Sequence, residues 1–230
     1  MTVRVFSTAQ ALADAAADEV AGWLTVAADT RTVGLAGGST PRRAYECLRD
    51  RSVPWSEVHA WLTDERHVPL GHHDSNAGMA RRALFDYVPA TFHEVAWDDD
   101  PEVAAAAYQA ELEALLPRGP SGLQPGLVIL GIGEDGHTAS LFAGSSALAE
   151  EERDFVATHV GGRGWRLTAT RGLLARARRT LFLVSGKAKA GIVAEVLGGA
   201  SDVPAAIVAR SSHDPMWLLD QAAASRLDAA

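Results

Sequence analysis

Val128-Ile129-Leu130-Gly131-Ile132-Gly133-Glu134-Asp135-Gly136-His137-Thr138-Ala139-Ser140-Leu141-Phe142 is the stretch on which the reading of this chain turns. The run Leu127 to Leu130, preceded by a Pro/Gly-rich segment (Pro117 to Gly126), has the signature of a buried strand. A glycine-rich turn follows it directly. One reading is a dinucleotide loop, because G-x-G-x-x-G is literally present. Gly144-Ser145-Ser146 stops the following segment after about two helical turns, short for the crossover helix of such a unit. The other reading is a general-base turn. Asp135-Gly136-His137 sets an imidazole beside a carboxylate across a residue that permits a sharp turn, as proton abstraction requires.

Outward from this stretch, strands and helices alternate. Ala9 to Ala28 is Ala-rich, with Leu12, Ala16, Val20 and Trp23 at helical spacing. Thr32 to Ala36 reads as a strand and Pro41 to Leu48 as a helix, with Thr40 at the N-cap and Pro41 at the first helical position. Val58 to Leu62 is a short apolar run, Ser75 caps a helix over Asn76 to Phe85, and His93 to Trp97 reads as a strand. Pro101 to Leu116 follows as a helix, then Thr180 to Val184 as a strand and Lys187 to Leu197 as a helix. Val203 to Ala209 and Met216 to Leu219 read as late strands. The alternation predicts a three-layer α/β fold, a mostly parallel Rossmann-like sheet with helices on both faces, as one domain over residues 1–230.

Composition narrows the function classes. The formal charge of −8 repels nucleic acid and anionic membrane. No apolar run reaches the roughly 18–20 residues of a membrane helix, and Met1 to Gln10 lacks a secretory pattern. Cys47 is the only cysteine, so no internal disulfide forms, and it reads as a small apolar residue. A cytoplasmic protein is expected, one that binds an anionic small molecule only where cations are locally concentrated.

Two further strand ends carry chemistry. In Leu35-Ala36-Gly37-Gly38-Ser39-Thr40-Pro41-Arg42 the glycines let the backbone approach a ligand, and a helix N-terminus, with Ser39, Thr40 and Arg42 as donors, favours an anion. A tight turn with an N-cap is the alternative. Trp61-Leu62-Thr63-Asp64-Glu65-Arg66-His67-Val68-Pro69 is either a solvated loop or an acid and an arginine presented together, Arg66 being suited to phosphate. His67, His72, His73 and Asp74 match no standard zinc spacing, so no metal is expected.

These blocks, with Ser185-Gly186-Lys187-Ala188-Lys189-Ala190 and the closing Trp217-Leu218-Leu219-Asp220, resemble the 6-phosphogluconolactonases, in the superfamily that also holds glucosamine-6-phosphate deaminases and ribose-5-phosphate isomerases. The blocks stand in the family's order and span nearly the whole chain. The resemblance implies hydrolysis of 6-phosphogluconolactone without metal or organic cofactor, by a monomer or small homo-oligomer. It implies His137 as general base and Asp135 as its support. Gly37, Gly38, Ser39, Thr40, Arg42, Asp64, Arg66 and Lys189 would bind the sugar phosphate. Arg166 joins them through Arg166-Leu167-Thr168, where Trp165 stands for the family's proline. The deaminase relatives carry a catalytic glutamate where this chain has Phe142. A non-catalytic sugar-phosphate sensor would carry an added helix-turn-helix module and a basic face.

Overall fold

Apolar runs with no polar alternation form strands where both faces of a sheet are covered. The computed structural model describes residues 1–26 and 31–227. Its first half runs β1 (Thr2–Phe6), α1 (Ala9–Val26), β2 (Thr32–Leu35), α2 (Ser39–Leu48), β3 (His59–Leu62), β4 (Asp64–Arg66), α3 (Asn76–Ala80), β5 (Thr91–His93) and α4 (Pro101–Leu115). Its second half runs β6 (Arg118–Gly119), β7 (Gly122–Leu123), β8 (Leu127–Leu130), α5 (Ser146–Ala149), β9 (Phe155–Val160), β10 (Gly164–Ala169), α6 (Arg171–Ala175), β11 (Arg179–Val184), α7 (Ala190–Leu197), α8 (Pro204–Ser211), β12 (Pro215–Asp220) and α9 (Gln221–Ala224).

Seven strands make one sheet in the order β1-β12-β11-β8-β2-β3-β5. Every neighbouring pair in it is parallel, as expected for an α/β fold with helices packed around the sheet. All four side chains of β8 are fully buried, each contributing roughly 1.5–3 kcal/mol. Beside them Phe182 and Trp217 stack at 4.1 Å across β11 and β12. The chain order reverses between β2 and β8. From β2 the next strands in the sheet lead to one edge, and from β8 they lead to the other. A crevice therefore opens at the carboxyl ends of these two strands, where open sheets of this kind take ligands.

Several local expectations are corrected. Val203 to Ala209 is not a strand but part of α8, where Pro204 holds the first helical position and Ala205, Ala206, Val208 and Ala209 are buried. The strand expected at His93–Trp97 lies at Thr91–His93. It ends where Tyr108 Oη donates to the His93 carbonyl. Asn76 to Phe85 begins as α3 and widens into a π-turn over Arg81–Phe85. Helix α2 begins at Ser39 with Gly38 as its N-cap, so Thr40 is no cap and Pro41 is the third helical residue rather than the first. Residues 27 and 28, expected in the first helix, lie outside the described residues. The edge strand β1 has no counterpart in the sequence reading, because its residues are largely exposed and show no apolar stripe.

The largest departure is a second, antiparallel sheet in the order β4-β10-β9. Asp64-Glu65-Arg66 is not a solvated loop: it is strand β4, with Asp64 and Glu65 buried. Nor does a helix follow His137. Thr138 and Leu141 form a bridge around a tight turn, with Ala139 at φ 47°.

Candidate active site

The loops after β2 and β8 flank one cleft. A chamber of about 200 Å³ is lined by Asp64, Arg66, Asn76, His137, Thr138 and Lys189 with the glycine turns. A second chamber of about 150 Å³ shares Gly37, Gly38, Gly131 and Lys189 with the first and continues to Ser39, Thr40 and Ser185. The site is thus elongated, with His137 in one chamber, the α2 N-terminus in the other, and Lys189 touching both.

His137 is held from several sides. Its Nδ1 pairs with Asp135 Oδ1, and its backbone N–H donates to the same oxygen at 3.3 Å. Its carbonyl accepts from Gly133 N–H at 2.8 Å. Its ring stacks on Phe142 at 4.3 Å. Burial pushes the Asp135 carboxyl up, but contact with His137 and then Arg163 outweighs it and holds the group below the usual carboxylate range. An ionised Asp135 accepts a hydrogen bond from Nδ1–H, which keeps that proton on Nδ1 and leaves Nε2 as the free nitrogen, the form a general base needs. Glycine at 133 is obligatory for this turn, since a Cβ there would lie 2.0 Å from His137 Nδ1.

Asp64 forms the buried floor. Ser140 Oγ donates to its Oδ2 at 2.7 Å, and Asn76 Nδ2 donates to its main-chain carbonyl at 2.9 Å. Burial pushes the Asp64 carboxyl up, against the Ser140 hydrogen bond and the nearby Arg66, His137 and Arg166. The loop after β2 comes so close that a Cβ on Gly37 would meet Asn76 Oδ1 at 1.9 Å. Glu65, one residue on, faces the other way. It accepts from Asn76 N–H at 2.7 Å, Ala77 N–H at 2.8 Å and Ser75 Oγ at 3.0 Å, holding the start of α3.

The register of the second sheet decides where two arginines point. Arg166 pairs with Arg66 and Thr168 with Asp64, which puts all four on the same face. Like charges directly opposite one another are unfavourable unless an anion joins them. Among the described residues neither arginine has a carboxylate partner; Arg66 Nη1 donates to the Asp74 carbonyl at 2.5 Å and Arg166 Nη1 to the Trp165 carbonyl at 3.0 Å. Burial and the Arg66 charge lower the Arg166 pKa. Lys189 also lacks an acidic partner among the described residues. By contrast Arg176 pairs with Asp154 and Arg179 with Asp214, away from the cleft, so these half-buried arginines are structural rather than merely solubilising.

Arg42 is not brought to the cleft: it is exposed on α2 and pairs with Glu46 at 3.7 Å. Helical geometry turns it outward, and its neighbour Arg43 lines the small recess beside Ser39, Thr40 and Ser185. His72, His73 and Asp74 group at the surface with donor atoms within 4.8 Å of one another, and none of them lines the cleft. His67 stacks on Trp97 instead. The sequence reading missed Asn76, Ser140 and Arg163. Nothing local marks them, because each matters through a partner 12, 76 or 28 residues away.

The loop bearing Lys189 is anchored by Asp220. This buried carboxylate accepts from Ser185 Oγ at 2.5 Å, Gly186 N–H at 3.0 Å and Ala223 N–H at 2.7 Å. Burial pushes Asp220 up, but these bonds outweigh it and leave its pKa lowered. A carboxylate with a depressed native pKa stabilises the fold above its unfolded value, near pH 4, and loses that contribution as pH falls through the native value. Asp220→Ala is expected to cost about 2–3 kcal/mol in urea unfolding at pH 7. The gap from the unaltered protein should narrow below about pH 4.

The family described as glucosamine-6-phosphate isomerases/6-phosphogluconolactonase matches residues 7–217. The chain belongs to this family. Among relatives in the glucosamine-6-phosphate isomerase/6-phosphogluconolactonase family, a 6-phosphogluconolactonase of Synechocystis is 38% identical over 205 residues, covering 85% of this chain and 84% of that protein. The 6-phosphogluconolactonase of Mycobacterium tuberculosis is 33% identical over 98% of both chains. The structure of 6-phosphogluconolactonase from Trypanosoma brucei superposes with a TM-score of 0.88 at 28% identity, covering 98% of each chain.

Proposed function

We propose that this chain is a 6-phosphogluconolactonase, a single domain over residues 1–230 that opens 6-phospho-D-glucono-1,5-lactone to 6-phosphogluconate in the cytoplasm, as a monomer or small homo-oligomer. The observation that carries the reading is one cleft holding both the Asp135-supported imidazole of His137 and cations with no acidic partner among the described residues. The substrate's phosphate and its reacting carbonyl lie at opposite ends of the sugar, which suits an elongated site. The phosphate enters the chamber of Gly37, Gly38, Ser39 and Thr40, where the α2 N-terminus and Lys189 favour an anion. The lactone ring then lies over Asp64 and Arg66, its carbonyl near His137.

In the reaction His137 Nε2 removes a proton from water as the water oxygen attacks the carbonyl carbon. Arg166, on the same face as Arg66, offsets the charge that develops on the carbonyl oxygen. Collapse breaks the bond to the ring oxygen, which takes the proton back from His137 and leaves as a hydroxyl. Phe142 cannot move protons. Its ring packs on His137 instead, which favours water attack over the deaminase reaction.

The test is to supply freshly generated 6-phosphoglucono-δ-lactone and follow its loss above the spontaneous rate. Enhancement is expected, without ammonia release from glucosamine 6-phosphate. Ammonia release with no lactone hydrolysis would overturn the reading. Arg66→Ala and Lys189→Ala should each raise KM about 10–100-fold, the worth of a charge-assisted hydrogen bond, with smaller changes in kcat. A fall in kcat alone would place that cation in the chemical step rather than in binding.

A further inference from the structure

The hairpin joining β9 to β10 carries Gly161-Gly162-Arg163-Gly164 at its tip, where only Arg163 has a side chain. That side chain does not extend into solvent. Arg163 Nη2 donates to Asp135 Oδ2 at 3.1 Å, and its guanidinium lies 5.0 Å from the centre of the Phe142 ring. Phe142 in turn stacks on His137. The two oxygens of Asp135 are thus divided, Oδ1 to His137 and Oδ2 to Arg163.

A carboxylate held at one oxygen can swing about its side-chain bonds, and Asp135 is 45% exposed. With both oxygens engaged, its plane is set, and so is the direction from which it accepts the hydrogen bond of His137 Nδ1–H. We propose that Arg163 is a positioning residue, which reaches across from the β9–β10 hairpin and fixes the Asp135 carboxylate that orients His137. The inference rests on the lactonase reading of the site. Arg163 does not line either chamber of the cleft, so it acts through Asp135 rather than on substrate directly. Its pair with Asp135 is exposed on both sides, so it adds little to global stability. Its effect should appear in turnover instead.

The experiment uses the full chain and 6-phosphoglucono-δ-lactone. Arg163→Ala is expected to lower kcat about fivefold with KM and thermal midpoint nearly unchanged, the scale of one partly exposed ion pair. Arg163→Lys, which keeps the charge and a donor, should recover most of the loss. In an Asp135→Asn background the same Arg163→Ala change should cost less than about twofold, because the carboxylate it positions is gone. An unchanged kcat in Arg163→Ala, a rise in KM alone, or an undiminished loss in the Asp135→Asn background would overturn the proposal. His137→Ala assayed alongside separates the two readings. If that variant keeps its turnover, the general-base assignment has failed, whatever Arg163 does.

Discussion

His137→Ala is expected to lower kcat for lactone opening by about 10²–10⁴-fold, bringing hydrolysis close to the spontaneous rate. The loss should be confined to catalysis. The His137 side chain is about one-quarter exposed and its ring packs on one face of Phe142, so removing it leaves a small hole at the mouth of the cleft. Circular dichroism and the thermal midpoint should therefore stay near those of the unaltered protein. Bound 6-phosphogluconate should still protect the variant against heat, since the α2 N-terminus, Arg66 and Lys189 remain. Near-normal turnover in a folded His137→Ala protein would sink the general-base role. Exogenous imidazole should restore part of the rate, because the water and the anion sites are still in place.

Gly133→Ala is expected to be nearly as damaging to turnover, although it adds only a methyl group. That group would lie 2.0 Å from His137 Nδ1 and 2.4 Å from Asp135 Oδ1. Neither neighbour can withdraw without breaking the pair between them. Gly133 N–H also donates to the His137 carbonyl, and Gly136 N–H donates to the Gly133 carbonyl at 3.0 Å, so the turn cannot shift freely. A displacement of about 1 Å at a catalytic group costs on the order of 10²-fold in rate. We expect kcat to fall by about that factor, with roughly 1–3 kcal/mol lost in urea unfolding from overpacking. Gly71→Ala, at a position with open space around it, is the matched control and should change neither quantity. Full activity in Gly133→Ala would mean that Asp135 and His137 need not touch during catalysis.

Much of the scaffold was legible in the sequence because its signals are local. Leu127–Leu130 and Thr180–Val184 are apolar runs flanked by turn residues, and both are buried strands. The helix start after Gly37-Gly38 was legible as a strand-to-helix turn, but its cap was misplaced by two residues because Gly38 serves without a side chain. Strand β4 was unreadable for a definite reason. Its two acids are buried through hydrogen bonds from Ser140, Asn76, Ala77 and Ser75, so apolar alternation is absent where burial is nearly complete. Helix α8 misled in the opposite way, since a short apolar run looks alike as strand or helix until Pro204 is seen to start it.

The sequence by itself determined the alternating α/β plan, the loops at the ends of β2 and β8, and the nearness of Asp135 to His137, all of which follow from spacings of a few residues. Only the tertiary structure decided which cations face the cleft. Arg66 and Arg166 are paired by a strand register formed between segments a hundred residues apart. Arg163 reaches Asp135 through a hairpin, and Arg42 turns away on the outer side of α2. Register and side-chain direction between distant segments are set by how the whole core packs, and no local spacing encodes them.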